Sequence, residues 1–302
     1  AQIWSASIGT DNPDWGYAAS LASYESLIIA NACVESGALI ALDKSTGKEV
    51  WRNTEGLGQG MNQISRSTPL IFQNAEGEDR MAILAAGQFI QVHDPATGEL
   101  LWKEGRWGGG YASGTPVVSE DGSVLYAAFG GSHGPTAMAA FRTGDDVAER
   151  VIWETDYVGH GLVPPVLYRG RLYYGAYGGV KPSAAQGFGC IDAATGEKVF
   201  HHQPDEFGDN IYSPPLAGDG KIYIQSQLLG TWVLEATDEY NLLAQNVLDE
   251  DRVETEMKLN VRQTGNKSGN GFVARPIPLA NGHLLLRGYW GLYCVRNPNL
   301  NR

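Results

Sequence analysis

Six loops rich in glycine and aromatic residues hold most of the side chains in this sequence that could bind a ligand. Aromatic rings can stack on a ligand, amides and phenols can exchange hydrogen bonds with it, and a guanidinium pairs with carboxylate or phosphate. The candidate binding residues are Trp15, Tyr17, Asn62, Arg66, Trp107, Tyr111, His160, Asn210, Tyr212 and Arg275. If these loops converge, they predict one shared site for a protein partner or for a small polar or carbohydrate ligand.

Arg66 and Arg275 are the most suggestive of these residues, because few cations occur in the loops of this acidic chain. Each could hold an anionic group, or each could form a local salt bridge. His160 could be a base, a ligand or a structural histidine, and the aromatic loops could also pack between repeats. Since the sequence has no GxSxG motif, no HExxH motif and no metal-ligand spacing, neither a catalytic residue nor a metal site is predicted.

The loops are positioned by a recurring unit of strand, tight turn and strand. Its copies are Ala41–Trp51, Val92–Trp102 and Cys190–Phe200. In each copy an aspartate can accept backbone N–H groups in an Asx turn, a glycine allows positive φ, and the closing aromatic ring can bury itself against the next repeat. The residues to which we assign this structural docking role are Asp43, Thr46, Gly47, Trp51, Asp94, Thr97, Gly98, Trp102, Asp192, Thr195, Gly196 and Phe200.

A second marker, a small residue followed by proline or an apolar residue, precedes a strand six times. Four strands per repeat of about 50 residues are typical of a β-propeller blade, so we predict an all-β protein with one β-propeller domain over residues 1–302. The predicted blades span approximately residues 14–53, 64–104, 111–155, 162–202, 210–248 and 270–298. The last blade is one strand short, and we expect residues 2–8 to complete it in a six-bladed ring. The alternative is a fragment of a ring with seven or eight blades.

Composition limits the class of partner. The formal net charge of −12 over 302 residues disfavours nucleic acid and anionic membranes but not basic partners. No apolar run is long enough for a transmembrane helix. Cys190 and Cys294 are predicted to pack as small apolar residues, although one disulfide could form among them and Cys33. Because the chain starts at Ala1 as a mature exported protein would, we expect a periplasmic or secreted location.

The unit Asp43-x-x-Thr46-Gly47-Lys48-Glu49-x-Trp51 resembles the tryptophan-docking motif of the PQQ-like (quinoprotein alcohol dehydrogenase-like) β-propeller repeat family. The resemblance covers the whole chain as a repeat pattern, and it implies the propeller fold. The family includes dehydrogenases that use PQQ and calcium. It also includes non-catalytic propellers, such as the lipoprotein scaffold of the bacterial outer-membrane β-barrel assembly machine.

The sequence departs from the pattern of the dehydrogenases of that family. Those are eight-bladed rings of nearly twice this length, and they carry a pair of adjacent cysteines over the quinone. No Cys-Cys pair occurs here, so the resemblance carries over only the docking residues. It implies a bacterial, non-catalytic binding or scaffold propeller without a cofactor, whose partner or ligand binds at the channel mouth. The alternatives are an enzyme with a mouth site for a sugar-like substrate, and an oxidoreductase that depends on PQQ and calcium.

Overall fold

The computed structural model describes residues 2–10, 19–57, 65–87, 89–105, 112–130, 137–156, 163–176, 187–203, 211, 213–225, 230–246, 277–279, 282–287 and 292–296. β-Strands dominate these residues, and the only helix among them is the short α1, Cys33–Ser36. None of the described helical structure has the length and hydrophobicity needed to cross a membrane. The chain divides into two compact units, residues 1–164 and residues 165–302.

The first unit contains three antiparallel sheets of four strands, each with its strands in chain order. Sheet 1 consists of β1 (Ala22–Tyr24), β2 (Leu27–Ala32), β3 (Ala38–Asp43) and β4 (Glu49–Asn53). Sheet 2 consists of β5 (Leu70–Gln73), β6 (Asp79–Ala85), β7 (Phe89–His93) and β8 (Leu100–Glu104). Sheet 3 consists of β9 (Val117–Val118), β10 (Val124–Phe129), β11 (Ala137–Arg142) and β12 (Val151–Asp156).

The second unit repeats this arrangement. Sheet 4 consists of β13 (Val166–Tyr168), β14 (Arg171–Ala176), β15 (Gly187–Asp192) and β16 (Lys198–His202). Sheet 5 consists of β17 (Leu216–Gly218), β18 (Lys221–Gln225), β19 (Thr231–Glu235) and β20 (Leu242–Asn246). Sheet 6 has three strands in the described part, β21 (Ile277–Leu279), β22 (His283–Arg287) and β23 (Leu292–Arg296). The predicted all-β class is confirmed, whereas the number of blades and the completion of the last blade by residues 2–8 stay predictions.

The middle strands of sheet 2 are buried on both faces, because this sheet packs between sheets 1 and 3. Ile29 and Leu39 of sheet 1 share a core with Met81 and Ile83 of sheet 2. The opposite face of sheet 2 packs against sheet 3 through a second core that includes Phe141. Successive side chains of a strand point to opposite faces, so apolar residues at consecutive positions serve two cores at once.

Short turns close the hairpins between the third and fourth strands of sheets 1, 2 and 4. In sheet 1, Oδ1 of Asp43 accepts the backbone N–H groups of Ser45 at 3.0 Å and Thr46 at 2.8 Å. Hydroxyl hydrogen bonds from Ser45 and Thr46 lower the pKa of Asp43 to about 2. Asp94 and Asp192 accept the equivalent N–H groups in their own turns. The Asx turn thus fixes the path between the two strands.

A tryptophan of the outer strand of sheet 1 contacts the turn of sheet 2. The indole N–H of Trp51 donates to the Pro95 carbonyl of sheet 2 at 3.2 Å. Gly98 has φ +76°, and a Cβ atom there would lie 2.5 Å from the Trp51 ring. Glycine therefore supplies both the left-handed backbone and the space for the ring.

Residues 2–10 make the same kind of contact with sheet 1. The indole N–H of Trp4 donates to the Lys44 carbonyl at 2.8 Å, and a Cβ atom at Gly47 would lie 2.6 Å from the Trp4 ring. Trp4 and Ile8 also pack against the face of sheet 1 that includes Ile40. This segment thus occupies, against sheet 1, the position that an outer strand occupies against the following sheet.

The three cysteines are free thiols. Cys33 and Cys190 are buried, and burial raises the pKa of Cys190 to about 12. The prediction that Cys294 packs as a small apolar residue is wrong, because this side chain is exposed. Cys294 lies in β23, which pairs on one side only within the described part of sheet 6.

The packing of the Trp51 ring on Gly98 predicts that alanine costs more stability at Gly98 than at Gly77. Gly77→Ala should cost about 1 kcal/mol, because φ is +79° there but no atom lies within 4 Å of the added Cβ. Gly98→Ala should cost about 1 to 3 kcal/mol more, since the methyl group must displace the Trp51 ring. Chemical denaturation of both variants measures the difference. Equal losses would mean that the ring does not rest on Gly98.

His93 introduces a buried titratable group between sheets 1 and 2. The side chain is fully buried, with Nδ1 at 3.2 Å from the Gly98 carbonyl oxygen and Nε2 at 3.2 Å from Oε1 of Gln91. Burial lowers the pKa of His93 to about 4, although the hydrogen bond to Gly98 acts in the opposite direction. The folded protein therefore keeps this imidazole neutral where an unfolded chain would protonate it.

Acidification from about pH 7 to about pH 4.5 should therefore destabilise the fold by about 2 kcal/mol through His93. The sign follows because only the unfolded chain binds the proton between the ordinary pKa of 6.5 and the folded value of about 4. Urea denaturation at both pH values should show a smaller loss for His93→Gln than for wild type. His283→Gln, in a partly exposed position of β22, serves as the control, and an unchanged pH response in His93→Gln would contradict the assignment.

Candidate functional site

Arg66 is the one predicted mouth residue that the described part of the chain includes. The others, which are Trp15, Tyr17, Asn62, Trp107, Tyr111, His160, Asn210, Tyr212 and Arg275, lie outside the described residues. The residues around Arg66 therefore define the candidate site. We call the end of the sheets that carries α1 and residues 65–67 the loop end, and the end that carries the Asp43–Lys48 turn the turn end.

Backbone pairing fixes Arg66 between two sheets. The Arg66 N–H donates to the Ala112 carbonyl at 2.7 Å, and Ser65 and Ala112 form a parallel bridge. Residues 65–67 lead into sheet 2, while Ala112 leads into sheet 3. The segments that enter sheets 2 and 3 therefore run side by side at the loop end.

Asn31 connects sheet 1 to the same segment. Its Nδ2 donates to Ser65 Oγ and to the Ser67 carbonyl, both at 2.8 Å. Ser65 Oγ donates in turn to the Leu84 carbonyl at 2.5 Å, and the Leu84 N–H donates to Ser67 Oγ at 3.0 Å. All four residues are buried, so this network replaces water for the polar groups that it joins.

Cys33 follows Asn31 at the start of α1 and takes part in the same network. Its thiol donates to the Leu57 carbonyl at 3.0 Å, and its sulfur accepts the Ser65 N–H at 3.4 Å. Burial raises the pKa of the Cys33 thiol, while the Ser65 N–H and the Arg66 charge lower it in part. The raised pKa keeps the sulfur as a neutral thiol and not as a nucleophilic thiolate.

Glu35 is the acid of this cluster. Only 7% of the residue is exposed, and its Oε2 has no hydrogen-bond partner among the described residues. Burial raises the pKa of Glu35, and the Arg66 charge opposes that shift. The Glu35 carboxyl group and the Arg66 guanidinium therefore both lie at the loop end, and the carboxyl group is poorly solvated.

Residues 9 and 10 cover the backbone of α1. The Thr10 N–H donates to the Glu35 carbonyl at 3.2 Å, and a Cβ atom at Gly9 would lie 2.1 Å from that oxygen. Glycine at position 9, where φ is +153°, is therefore required for this close approach.

Asn31, Cys33 and Glu35 are site residues that sequence reasoning missed. The sequence does mark them, because Asn31 interrupts the apolar run from Leu27 to Val34 and Glu35 follows directly after it. The alternation of polar and apolar residues along a strand could not assign these side chains to a site. β2 is buried on both faces, and α1 begins at Cys33. No three His, Cys, Asp or Glu side chains of the described part come together as a metal site.

Four-stranded sheets in series, Asx turns and indole contacts from one turn to the next define a PQQ-like β-propeller. A family profile described as outer membrane protein assembly factor BamB matches residues 1–241, and the chain belongs to this family. The predicted membership in the PQQ-like propeller repeats is therefore confirmed.

Solved structures give the same fold. BamB from Moraxella catarrhalis is similar with a TM-score of 0.62 and 15% identity, covering 91% of this chain and 70% of that chain. The quinohemoprotein alcohol dehydrogenase from Comamonas testosteroni is similar with a TM-score of 0.54 and 14% identity, covering 79% of this chain and 44% of that chain. At these identities the likeness concerns the fold alone. No match was found among curated proteins.

The burial of Glu35 predicts that folding disfavours its ionised form. A raised pKa in the folded state means that stability falls as the pH rises above the ordinary glutamate range. Glu35→Gln should therefore raise the free energy of unfolding at neutral pH and give no gain at about pH 4. Urea denaturation at the two pH values measures this, with the exposed Glu55→Gln as control. A loss of stability in Glu35→Gln at neutral pH would contradict it.

Proposed function

We propose that this protein is a non-catalytic binding propeller that acts as a scaffold in the assembly of outer membrane proteins. The observation that supports the proposal most directly is the match of the BamB family profile to residues 1–241. On this proposal the protein works in the periplasm, beside the outer membrane, and its partner is another protein. The BamB structure of similar fold supports the architecture that such a scaffold would need.

The loop end is the better candidate for the partner-binding surface. At the turn end, Asp43, Gly47 and Trp51 are already engaged in turns and in contacts between sheets. At the loop end, Glu35 stays buried although burial disfavours its charge. A group that opposes folding in this way is a candidate for function, and Arg66 beside it can pair with a carboxylate of a partner.

Charge adds a second constraint on the partner. A chain with net charge −12 attracts a basic surface over long range, while Arg66 offers one local contact of opposite sign. The expected partner surface is therefore mainly basic and carries a carboxylate where it meets Arg66. Association should weaken as the salt concentration rises.

The test is direct binding to the purified outer-membrane β-barrel assembly machine that lacks its own scaffold subunit, measured by biolayer interferometry. Arg66→Glu should weaken binding at least about tenfold, which corresponds to the loss of one charged contact. Arg52→Glu is the matched control, because Arg52 lies on the outer strand β4 and pairs with Glu49 of the same strand. Circular dichroism checks that both variants are folded.

Three outcomes would contradict the proposal. The first is the absence of binding by the wild-type chain, and the second is equal weakening by Arg66→Glu and Arg52→Glu. The third is turnover of an alcohol or a sugar, with or without added PQQ and calcium, that His160→Ala abolishes in a folded protein.

A further inference from the structure

Sheets 3 and 5 lack the short Asx turn that joins the third and fourth strands of sheets 1, 2 and 4. Their third and fourth strands are joined by longer turns, residues 143–150 in sheet 3 and residues 236–241 in sheet 5. Arg142 and Glu235 stand where the turn aspartate stands elsewhere, because each ends the third strand as Asp43 ends β3. Both long turns carry an aspartate at a common position. Asp145 and Asp238 are each the third residue after that strand end, where the short turns have Thr46, Thr97 and Thr195.

Asp145 reaches back from sheet 3 to sheet 2. Its two carboxylate oxygens accept Nε of Arg80 at 3.2 Å and Nη2 at 2.6 Å, a two-point ion pair. Arg80 is 8% exposed, and it also contacts the carboxylate of Glu78 in its own sheet. Thr143 adds a second link, because its hydroxyl accepts the Ala75 N–H of sheet 2 at 3.4 Å.

Asp238 reaches back from sheet 5 to sheet 4 in the same way. Its oxygens accept Nε of Arg171 at 2.7 Å and Nη2 at 2.9 Å. Arg171 also contacts the carboxylate of Asp192, the turn aspartate of sheet 4. The Tyr173 hydroxyl donates to the Thr237 carbonyl at 3.2 Å, which again adds a second link from the long turn.

The two arginines occupy the same place in their sheets. Arg171 pairs across sheet 4 with the turn aspartate Asp192. In sheet 2, Met81 pairs with His93, so Arg80, one residue before Met81, is level with the turn aspartate Asp94, one residue after His93. Sheets 1 and 3 have Leu27 and Val124 at this place. The sheet after each of these two has threonine at the aspartate position, Thr97 in sheet 2 and Thr195 in sheet 4. Within the described residues, the arginine and the aspartate of the following sheet are thus either both present or both absent.

Each long turn also supplies a flat side chain for the aromatic residue that docks on it. The Arg150 guanidinium lies over the Trp102 ring at 3.9 Å, and it holds the turn by donating to the carbonyls of Arg142, Gly144 and Asp145. In sheet 5, Tyr240 packs edge-on against Phe200 at 6.4 Å. The docking contact therefore persists where the glycine turn is replaced.

We propose that Arg80–Asp145 and Arg171–Asp238 are matching latches that specify which sheet packs on which and make the two sheets of each pair open together. In a chain of similar repeats, packing against the wrong neighbour is the characteristic error of folding. A two-point pair that needs an arginine on one sheet and an aspartate on the next disfavours mismatched neighbours. With the wrong neighbour the aspartate would lose both of these contacts, and the arginine would keep only its contact to a carboxylate of its own sheet.

The test is a double-mutant cycle for each latch, read by thermal unfolding and by hydrogen exchange. The variants are Asp145→Asn with Arg80→Gln, and Asp238→Asn with Arg171→Gln. The matched control is Glu49→Gln with Arg52→Gln, since Arg52 binds Glu49 at two points, 3.1 Å and 2.7 Å, but within one strand of sheet 1. Thermal unfolding should give non-additive losses for both latches and additive, small changes for the control.

Hydrogen exchange separates a latch from a local turn contact. Asp145→Asn should speed exchange about fivefold or more in the strands of both sheet 2 and sheet 3, and Asp238→Asn should do so in sheets 4 and 5. Acceleration confined to residues 143–150 or 236–241, or coupling no larger than in the control, would overturn the proposal. If one latch variant fails to fold, the other latch gives the same test independently.

Discussion

The contact that joins sheet 1 to sheet 2, and residues 2–10 to sheet 1, is an indole ring lying on a glycine of a neighbouring turn. Trp51 fills the space above Gly98 and donates to the Pro95 carbonyl, and Trp4 repeats this against Gly47 and Lys44. The contact satisfies a buried N–H and excludes any side chain at the glycine, so it restricts two positions at once. An Asx turn is needed beneath it because only a fixed turn presents the carbonyl and the glycine together.

The same constraint explains where the repeats depart from the pattern. Trp102 faces a long turn, and its indole N–H has no acceptor among the described residues. Phe200 faces the other long turn, and phenylalanine has no N–H to satisfy. Where the carbonyl of the short turn is missing, Phe200 has no donor to satisfy, and the Trp102 ring lies under the Arg150 guanidinium instead. Arg–Asp pairs add a further link between these sheets. The partner-binding surface that we propose lies at the loop end, with Asn31, Glu35 and Arg66.

Much of the fold could be predicted because its determinants are local. Asp43, Gly47 and Trp51 lie within one hairpin, and their types specify the turn and the ring that leaves it. The latches could not be predicted, since Arg80 and Asp145 are far apart in sequence and become neighbours only when sheets stack. Of the candidate site, Arg66 was predictable as a cation in a loop. Glu35 was not, because it follows an apolar strand in which no alternation marks a polar face.

The most direct test of indole docking is to compare Trp51→Phe with Trp102→Phe by chemical denaturation. Both changes keep most of the ring and remove one N–H, but only the Trp51 N–H has a described acceptor. Trp51→Phe should therefore cost about 1 kcal/mol more than Trp102→Phe. Equal losses, or a larger loss for Trp102→Phe, would contradict the claim that the indole-to-carbonyl contact holds neighbouring sheets together.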